Sequence, residues 1–384
     1  MARLLKALGA GAGETRFVGG CVRDTLLKIE VRDVDLATRL TPEAVIARLE
    51  RAKIKAVPTG IAHGTITAVS GGAPVEVTTL RRDVSTDGRR ATIAFTEDWR
   101  EDAARRDFTI NALSADPVSG RMFDYFGGLA DLKARRVRFI GEPLQRIAED
   151  HLRILRFFRF HARFGRGAPD PAALDACAAR ANDLMALSRE RIADELLKLL
   201  GLPDPAPTAT LMIARGIFRP VLPEIGSAEP LAALVAAEQA AGICPEAVRR
   251  LASLLPPDPE TASAVAARLR LSKRLARRLV SAAQRGLDAP EALAYRIGTA
   301  EAIDRFLLNG PPLPDLRALE QWKRPRLAVG GGDLIAMGLE AGPVVAATLQ
   351  AIERDWAAAG FPDDRQEVRA LARRHVDQAL RSSQ

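Results

Sequence analysis

Cysteine, histidine and aromatic side chains are what this chain of 384 residues has least of. Its three cysteines, Cys21, Cys177 and Cys244, are odd in number and form no Cys-x-x-Cys pair. That excludes a disulfide scaffold and a cysteine-held zinc site, and a reducing cytoplasm is the expected setting. Four histidines leave little material for histidine-based catalysis. Three tryptophans, two tyrosines and thirteen phenylalanines are too few for base-stacking platforms to be the main binding device. No apolar run approaches the roughly 18 residues that span a membrane, and residues 1–13 are too short a lead into the first strand-like run to read as a targeting peptide. The fingerprints Gly-x4-Gly-Lys-Ser/Thr, Gly-x-Gly-x-x-Gly and His-Glu-x-x-His are missing as well, which removes the commonest nucleotide-binding and metalloprotease motifs.

What remains is an ordinary folded composition, 47% hydrophobic and 27% charged, long enough at roughly 150 residues per domain for two or three domains. The net charge of +8 suits a polyanionic partner, or simply coats the surface with arginine. The excess is uneven, because residues 268–326 hold 13 basic against 6 acidic side chains. On one face these would hold a nucleic-acid backbone through counterion release; the run beginning at Lys273 reads equally as a solvated helix.

Up to about residue 140 the chain alternates short β-branched runs with Gly, Pro and Asp. This pattern predicts strands at 16–18, 34–37, 64–69 and 75–80 and one helix at 42–51, started by Thr41 and Pro42. The polar stretch Asp83-Val84-Ser85-Thr86-Asp87-Gly88-Arg89-Arg90 has no apolar period and reads as a mobile loop. Beyond Gly141 the texture is Ala, Leu and Arg at helical spacing, with Leu152, Leu155, Phe158 and Ala162 as a buried stripe. Proline clusters at 203–207, 256–259 and 311–314 separate helical blocks.

The chemistry concentrates in Phe17-Val18-Gly19-Gly20-Cys21-Val22-Arg23-Asp24 and in Asp33-Val34-Asp35. Two aspartates two apart in a strand-like run share a face and repel unless a cation sits between them, for which Mg²⁺ with its oxygen preference is the natural candidate. An edge strand with an acidic outer face is the plainer alternative. The Gly19-Gly20 pair ends a strand and opens a helix, where backbone N–H groups can cradle a triphosphate. Glu76 alternates with valines on another strand and can face the same site. Glycine turn, paired aspartates and a third acid together make the pattern of a nucleotidyltransferase.

In order, Gly-Gly-x-Val-Arg-Asp, Arg-Asp-x-Asp-x-Ala-Thr, Glu-Val-Thr-Thr-Leu-Arg, Arg-Arg-Asp-Phe-Thr-Ile-Asn-Ala and Glu-Asp-x-x-Arg resemble class II tRNA nucleotidyltransferases, the CCA-adding enzymes, and the related bacterial poly(A) polymerases. The likeness runs from residue 17 to about 200, with a weaker echo at 331–349. It implies an α+β protein with a small mixed β-sheet nucleotidyltransferase head at 1–140. An all-α helical neck that recognises the base would follow at 141–202, and a helical body and tail that bind tRNA at 203–384. The partners implied are CTP, ATP and the tRNA 3′ end, with no membrane.

The resemblance also assigns roles. Asp33 and Asp35 would be catalytic and hold Mg²⁺, with Glu76 as metal ligand or loop anchor. Gly20, Arg23, Arg106 and Asn111 would bind the nucleotide's phosphates or sugar, with Asp24 and Asp107 in support and Arg105 simply exposed. Arg156 is a phosphate contact or a solvated residue. Asp150 and Arg153 are three apart, which on a helix gives a local ion pair worth a few tenths of a kcal/mol. The family reading makes them a template instead: a carboxylate accepting from an exocyclic amino group and a guanidinium donating to a ring nitrogen admit C and A and reject U and G. Glu149 would position a neighbouring arginine, Ser188 would cap a helix, and Arg191 and Glu195 would brace it. His63 and the Gly330-Gly331-Gly332 turn are structural.

The expected activity is Mg²⁺-dependent addition of CCA without a nucleic-acid template. Four rivals stand beside it: a poly(A) polymerase, disfavoured by the short stretch before the glycine motif and the absence of an extended Arg-rich tail; a partial C-adding or A-adding enzyme; a non-catalytic RNA-binding protein, disfavoured by the intact carboxylates; and a metabolite-modifying nucleotidyltransferase, disfavoured by a helical body after Gly201 longer than a small substrate needs.

Overall fold

In the computed structural model, which describes residues 1–87 and 90–382, the chain opens with α1 (Ala2–Ala7), β1 (Thr15–Val18), α2 (Gly20–Leu26), β2 (Asp35–Thr38), α3 (Pro42–Arg51), β3 (Lys55–Gly60), β4 (Thr65–Ser70) and β5 (Ala73–Thr79). β6 (Arg81–Asp87) and β7 (Arg90–Phe95) pair only with each other; α4 (Trp99–Ala104), β8 (Ser114–Ala115) and β9 (Met122–Phe123) follow. The mixed seven-stranded sheet has the order β3-β4-β5-β2-β1-β8-β9, with β2 antiparallel to β1 and parallel to β5. α3 spans the predicted residues. Thr41 accepts the Ala44 N–H at 3.3 Å and Pro42 fills the first turn, where its missing N–H costs nothing.

Alternation along the strands divides the sheet. Leu36 and Val77 enter a core with Leu4, Val45, Leu49 and Ile66, each burial contributing about 1.5–3 kcal/mol. Asp35, Ala37 and Glu76 alternate to the other face, where Ala37 meets Val18, Leu80 and Trp99.

Two expectations are corrected here. Asp33 is not on a strand: β2 begins at Asp35. Gly19 turns the chain off β1 with φ +71°, and continuing the parallel register sets Asp33 opposite Pro74, which has no N–H to offer. The polar stretch after Arg81 is a hairpin rather than a loop, registered from Arg81 opposite Phe95 to Asp87 opposite Arg90. Backbone pairing needs β-compatible residues, not an apolar period; Gly88 and Arg89 of that stretch lie outside the described residues.

The chain then turns helical through α5 (Gly128–Lys133), α6 (Pro143–Glu149), α7 (Arg153–Phe164), α8 (Pro171–Ala179), α9 (Arg189–Leu200) and α10 (Ala206–Ala214). No strand follows Phe123 among the described residues. Leu152, Leu155 and Phe158 are buried as expected, while Ala162 is only half-buried. Phe108, Phe139, Phe157 and Phe160 pack together at centroid separations of 5.0–6.4 Å. Ser188 stands at the start of α9 without a side-chain capping bond; its carbonyl takes the Arg191 and Ile192 N–H groups instead.

The chain divides into two units, Met1–Gly226 and Ser227–Gln384. The second contains α11 (Glu229–Ala241), α12 (Ala247–Leu254), α13 (Pro259–Arg268), α14 (Lys273–Ala283), α15 (Pro290–Ile297), α16 (Thr299–Asn309), α17 (Leu316–Gln321), α18 (Gly331–Ala336), α19 (Pro343–Ala358) and α20 (Arg365–Ser382). The Gly330 turn precedes α18 as expected, with Asp333 accepting the Gly330 N–H at 2.8 Å.

The basic stretch 268–326 does not form one solvated face. Arg278 and Arg305 are turned inward, to Asp304 at 2.6 Å and to the Ser281 carbonyl at 2.9 Å, and Arg296 pairs with Asp288 at 2.6 Å. Lys273, Arg274 and Arg277 remain exposed. At the centre of this unit Arg249 bridges Glu238 at 2.7 Å and Asp304 at 3.0 Å, and Arg250 meets Glu238 at 2.7 Å, all four side chains being at most 3% exposed. Such charges are tolerated only as a set. Arg249→Met removes the cation that Glu238 and Asp304 share but leaves them Arg250 and Arg278, and should lower stability by about 1–3 kcal/mol, read as the urea midpoint of the full chain; an unchanged midpoint would show the shared cation to be dispensable.

Candidate active site

Where β1 gives way to α2, Gly19 and Gly20 open one wall of a cleft of about 470 Å³ in the first unit. Its other lining residues are Arg23, Arg106, Asp107, Asn111, Asp150, Arg153, Arg156 and Phe160. All seven residues expected to bind nucleotide, Gly20, Arg23, Arg106, Asn111, Asp150, Arg153 and Arg156, are thus brought together from three stretches of sequence. Gly19 is required by its left-handed φ, and the guanidinium end of Arg106 packs 2.8 Å from where a Cβ would stand.

A chain of polar bonds fixes the cleft floor. Arg23 donates to Asp24 at 2.8 Å through Nε and to Asn111 Oδ1 through Nη1. Asn111 donates to Asp107 Oδ1 at 2.9 Å, and Arg156 Nε donates to Asp107 Oδ2 at 2.8 Å. Burial pushes the Asp107 carboxyl up, but Arg156 and the Asn111 bond outweigh it and hold the group below the usual carboxylate range. Asp24 and Asp107 therefore take the supporting places expected of them. Arg105, expected to be exposed, is largely covered and pairs with Asp102 at 2.8 Å, because that buried carboxylate also takes Arg106 at 3.3 Å and needs both cations.

The Asp150–Arg153 ion pair that bare helical spacing suggests does not form, because the two residues do not share a helix. Asp150 ends α6 in extended conformation, and α7 begins at Arg153. Asp150 Oδ1 accepts the Leu152 N–H at 3.1 Å and Oδ2 accepts Arg191 at 2.7 Å. Arg153 Nη1 donates to Glu149 at 2.6 Å and to the Arg146 carbonyl at 2.7 Å, and Nη2 to the Arg105 carbonyl at 3.3 Å. Glu149 also takes Arg146 at 2.5 Å, the positioning part read for it. These bonds leave Arg153 Nε–H and one Nη2–H for a ligand, beside carboxylate lone pairs on Asp150. Glu195 braces Arg159 at 2.5 Å and Arg156 at 3.4 Å. His63 is exposed in a short turn, its carbonyl taking Arg81.

Asp35 does not line the cleft but touches its electrostatics. It stands in register with Glu76 on the neighbouring parallel strand, and Asp33 precedes it by two. Burial, then Glu76, raise its carboxyl above the ordinary value; Arg106 opposes them, and Asp33 adds to the rise. Glu76 and Asp33 are exposed. Among the described residues no three His, Cys, Asp or Glu side chains converge as a metal cage.

Phe160 was missed by sequence reasoning. Its ring lies 5.4 Å from the Arg23 guanidinium carbon, 5.2 Å from that of Arg156 and 4.7 Å from that of Arg159, within cation–π reach. Its position four residues after Arg156 was the available signal.

Comparison with known proteins agrees with this geometry. Residues 15–138 match the family described as poly A polymerase head domain, and residues 168–228 that described as probable RNA and SrmB-binding site of polymerase A. The mouse protein named CCA tRNA nucleotidyltransferase 1, mitochondrial is 35% identical over 375 residues, 92% of this chain and 85% of the relative. The chain belongs to the CCA-adding tRNA nucleotidyltransferase family. A CCA-adding enzyme of Oceanobacillus iheyensis is 42% identical over 198 residues, 51% of this chain and 48% of the relative. The crystal structure of the Bacillus stearothermophilus CCA-adding enzyme in complex with CTP superposes with a TM-score of 0.77 at 27% identity, covering 99% of this chain and 98% of that one.

Since the folded-state pKa of Asp35 is raised, its ionised form opposes folding at neutral pH, and the penalty disappears as pH falls through the raised value. Without divalent cation, Asp35→Asn should therefore melt higher than the wild type at pH 7, with the gap closing toward acid pH. A lower melting temperature for Asp35→Asn at pH 7 would contradict this electrostatic picture.

Proposed function

We propose that this chain extends the 3′ end of tRNA by CCA, taking CTP and ATP and releasing diphosphate, without a nucleic-acid template. The observation that carries the reading is a cleft lined by a glycine turn, three arginines, an asparagine and an Asp150–Arg153 couple that do not bond to each other, within a chain 35% identical over most of its length to a CCA tRNA nucleotidyltransferase.

In this reading the RNA 3′-hydroxyl oxygen attacks the α-phosphorus, a new P–O bond forms, the α–β bridging bond breaks and diphosphate leaves. Arg23 and Arg106 hold phosphate oxygens with their planar forks, and Arg156 fixes Asp107 between them and α7. Asn111, tied on both sides, faces the sugar. Asp150 accepts from the exocyclic amino group of C or A, and Arg153 donates to the ring nitrogen. Uracil or guanine would bring a carbonyl against the carboxylate, leaving charged groups unpaired, which is the strongest form of rejection.

Asp33 and Asp35 suit Mg²⁺. They are hard oxygen donors, and Asp35, partly buried and in register with Glu76, has its carboxyl raised by burial first and by that second acid next. Mg²⁺ binds through one or two carboxylates and completes its shell with water and substrate phosphate, so the pair suffices without a third ligand. When bound it would stabilise charge on the α-phosphate and lower the pKa of the attacking hydroxyl. Glu76 then acts through its field on Asp35. The head at 1–140, a base-recognising neck at 141–202 and a tRNA-binding body and tail at 203–384 follow from the same reading. Three free cysteines and no described helix long and apolar enough to cross a membrane are in keeping with the cytoplasm, although the mouse relative is named mitochondrial.

The test is transfer to a tRNA transcript lacking CCA, resolved to single nucleotides. CTP alone should add two residues, ATP should then add one, and extension should halt; long A tails on any RNA would make the chain a poly(A) polymerase, and addition of only C or only A a partial enzyme. Asp33→Ala or Asp35→Ala should slow transfer by about 10²–10³-fold; normal turnover in either variant would remove the metal pair from the mechanism.

A further inference from the structure

Helix α9 reaches the cleft from one face at two points. Arg191 and Glu195 are four residues apart and neighbours on the helix surface. Glu195, only 4% exposed, holds Arg156 and Arg159 on α7. Arg191 reaches instead to the turn between α6 and α7, where its Nη2–H meets Asp150 Oδ2 at 2.7 Å.

That contact differs from a simple brace because of what Asp150 is. A carboxylate turns easily about its last bond, a torsion with a broad, nearly two-fold profile. Here both oxygens are tied from fixed points, Oδ1 by the Leu152 N–H at 3.1 Å and Oδ2 by Arg191. Each oxygen retains one further lone-pair site, and the plane in which those sites lie is set by the two donors together. The Leu152 bond alone fixes one oxygen and leaves the other to swing.

We propose that Arg191 is a positioning residue for base selection, holding the Asp150 carboxylate in the plane from which it accepts the amino group of C or A. The proposal rests on the reading of Asp150 and Arg153 as the base-pairing couple. Arg191 touches the carboxylate and is not among the residues that line the cleft, so its effect falls on the choice among bases. Without it Asp150 samples other orientations, the bond to the amino group weakens, and a carbonyl-bearing base is no longer met by a fixed lone pair. Lysine supplies charge without the planar fork and restores the plane only in part.

The experiment compares kcat/KM for CTP and UTP on tRNA lacking CCA, using the full chain, for wild type, Arg191→Met, Arg191→Lys, Asp150→Asn and the double variant Asp150→Asn with Arg191→Met. Arg191→Met should lower the CTP-to-UTP ratio by about tenfold or more, chiefly through a higher KM for CTP, and Arg191→Lys should recover part of it. On the Asp150→Asn background, Arg191→Met should leave the ratio unchanged within about twofold. A wild-type ratio in Arg191→Met, whatever its overall rate, overturns the proposal, as does an equal effect on both backgrounds. If Arg191→Met loses its native melting transition, Arg191→Gln is judged by the same ratio. A wild type that adds C but does not discriminate against UTP overturns the base-pairing reading of Asp150 and with it the part given to Arg191; a wild type that adds no C at all fails the proposed function itself.

Discussion

Asp107 is a buried carboxylate set directly before a phenylalanine cluster, and its charge has to be matched where it lies. An ionised group in such surroundings is tolerated only with partners that stay in place. It takes Asn111 and its own following N–H on Oδ1 and Arg156 on Oδ2. Through Asn111 it reaches Arg23 on the helix after the glycine turn, and through Arg156 it reaches Glu195 on α9. Four segments distant in sequence are thereby held to one geometry by a single charge. Arg156 keeps its position because moving it would leave Asp107 without a countercharge, and Arg23, Arg106 and Arg153 are held by Asp24, Asp102 and Glu149.

The carboxylates of the first unit fall into two kinds. Asp102, Asp107, Asp131 and Glu195 each meet two arginines or an arginine and neutral donors, and such groups are scaffolding. Asp35 is different: burial and the neighbouring acids Glu76 and Asp33 raise its carboxyl, and Arg106 opposes them without cancelling the rise. Leaving it under-compensated costs folding free energy, and sites of chemistry are where such costs are tolerated. The second unit shows the scaffolding rule in its most buried form, in the matched set of Arg249, Arg250, Glu238 and Asp304.

The phenylalanines show how composition and placement differ. They are few, and the sequence read that scarcity as evidence against stacking on bases. Much of the group is gathered behind the cleft, where Phe108, Phe139 and Phe157 give Asp107 and α7 a rigid apolar wall. Phe160 alone of these lines the cleft, and its ring lies among arginines.

Local chemistry was enough to read α3, from Thr41 and Pro42, and the strands that became β1, β2, β4 and β5, from β-branched alternation. The cleft's lining was legible by another route: Gly20, Arg23, Arg106, Asn111, Asp150, Arg153 and Arg156 stand in short motifs that resemble a known family, and local chemistry alone would have made Asp150 and Arg153 a helical ion pair. Tertiary structure decided the pairings. Spacing offered Asp150 to Arg153, yet the helix breaks between them, so Asp150 went to Arg191 and Arg153 to Glu149. Asp33 left the strand because Gly19 turns β1 away and Pro74 cannot donate, facts held by neighbours 14 and 41 residues distant. Phe160 and Arg191 gained their places from the packing of α7 against α9. A short motif states what a side chain can bond to; which partner it receives depends on what the folded chain brings within about 3 Å, and no local pattern carries that distance.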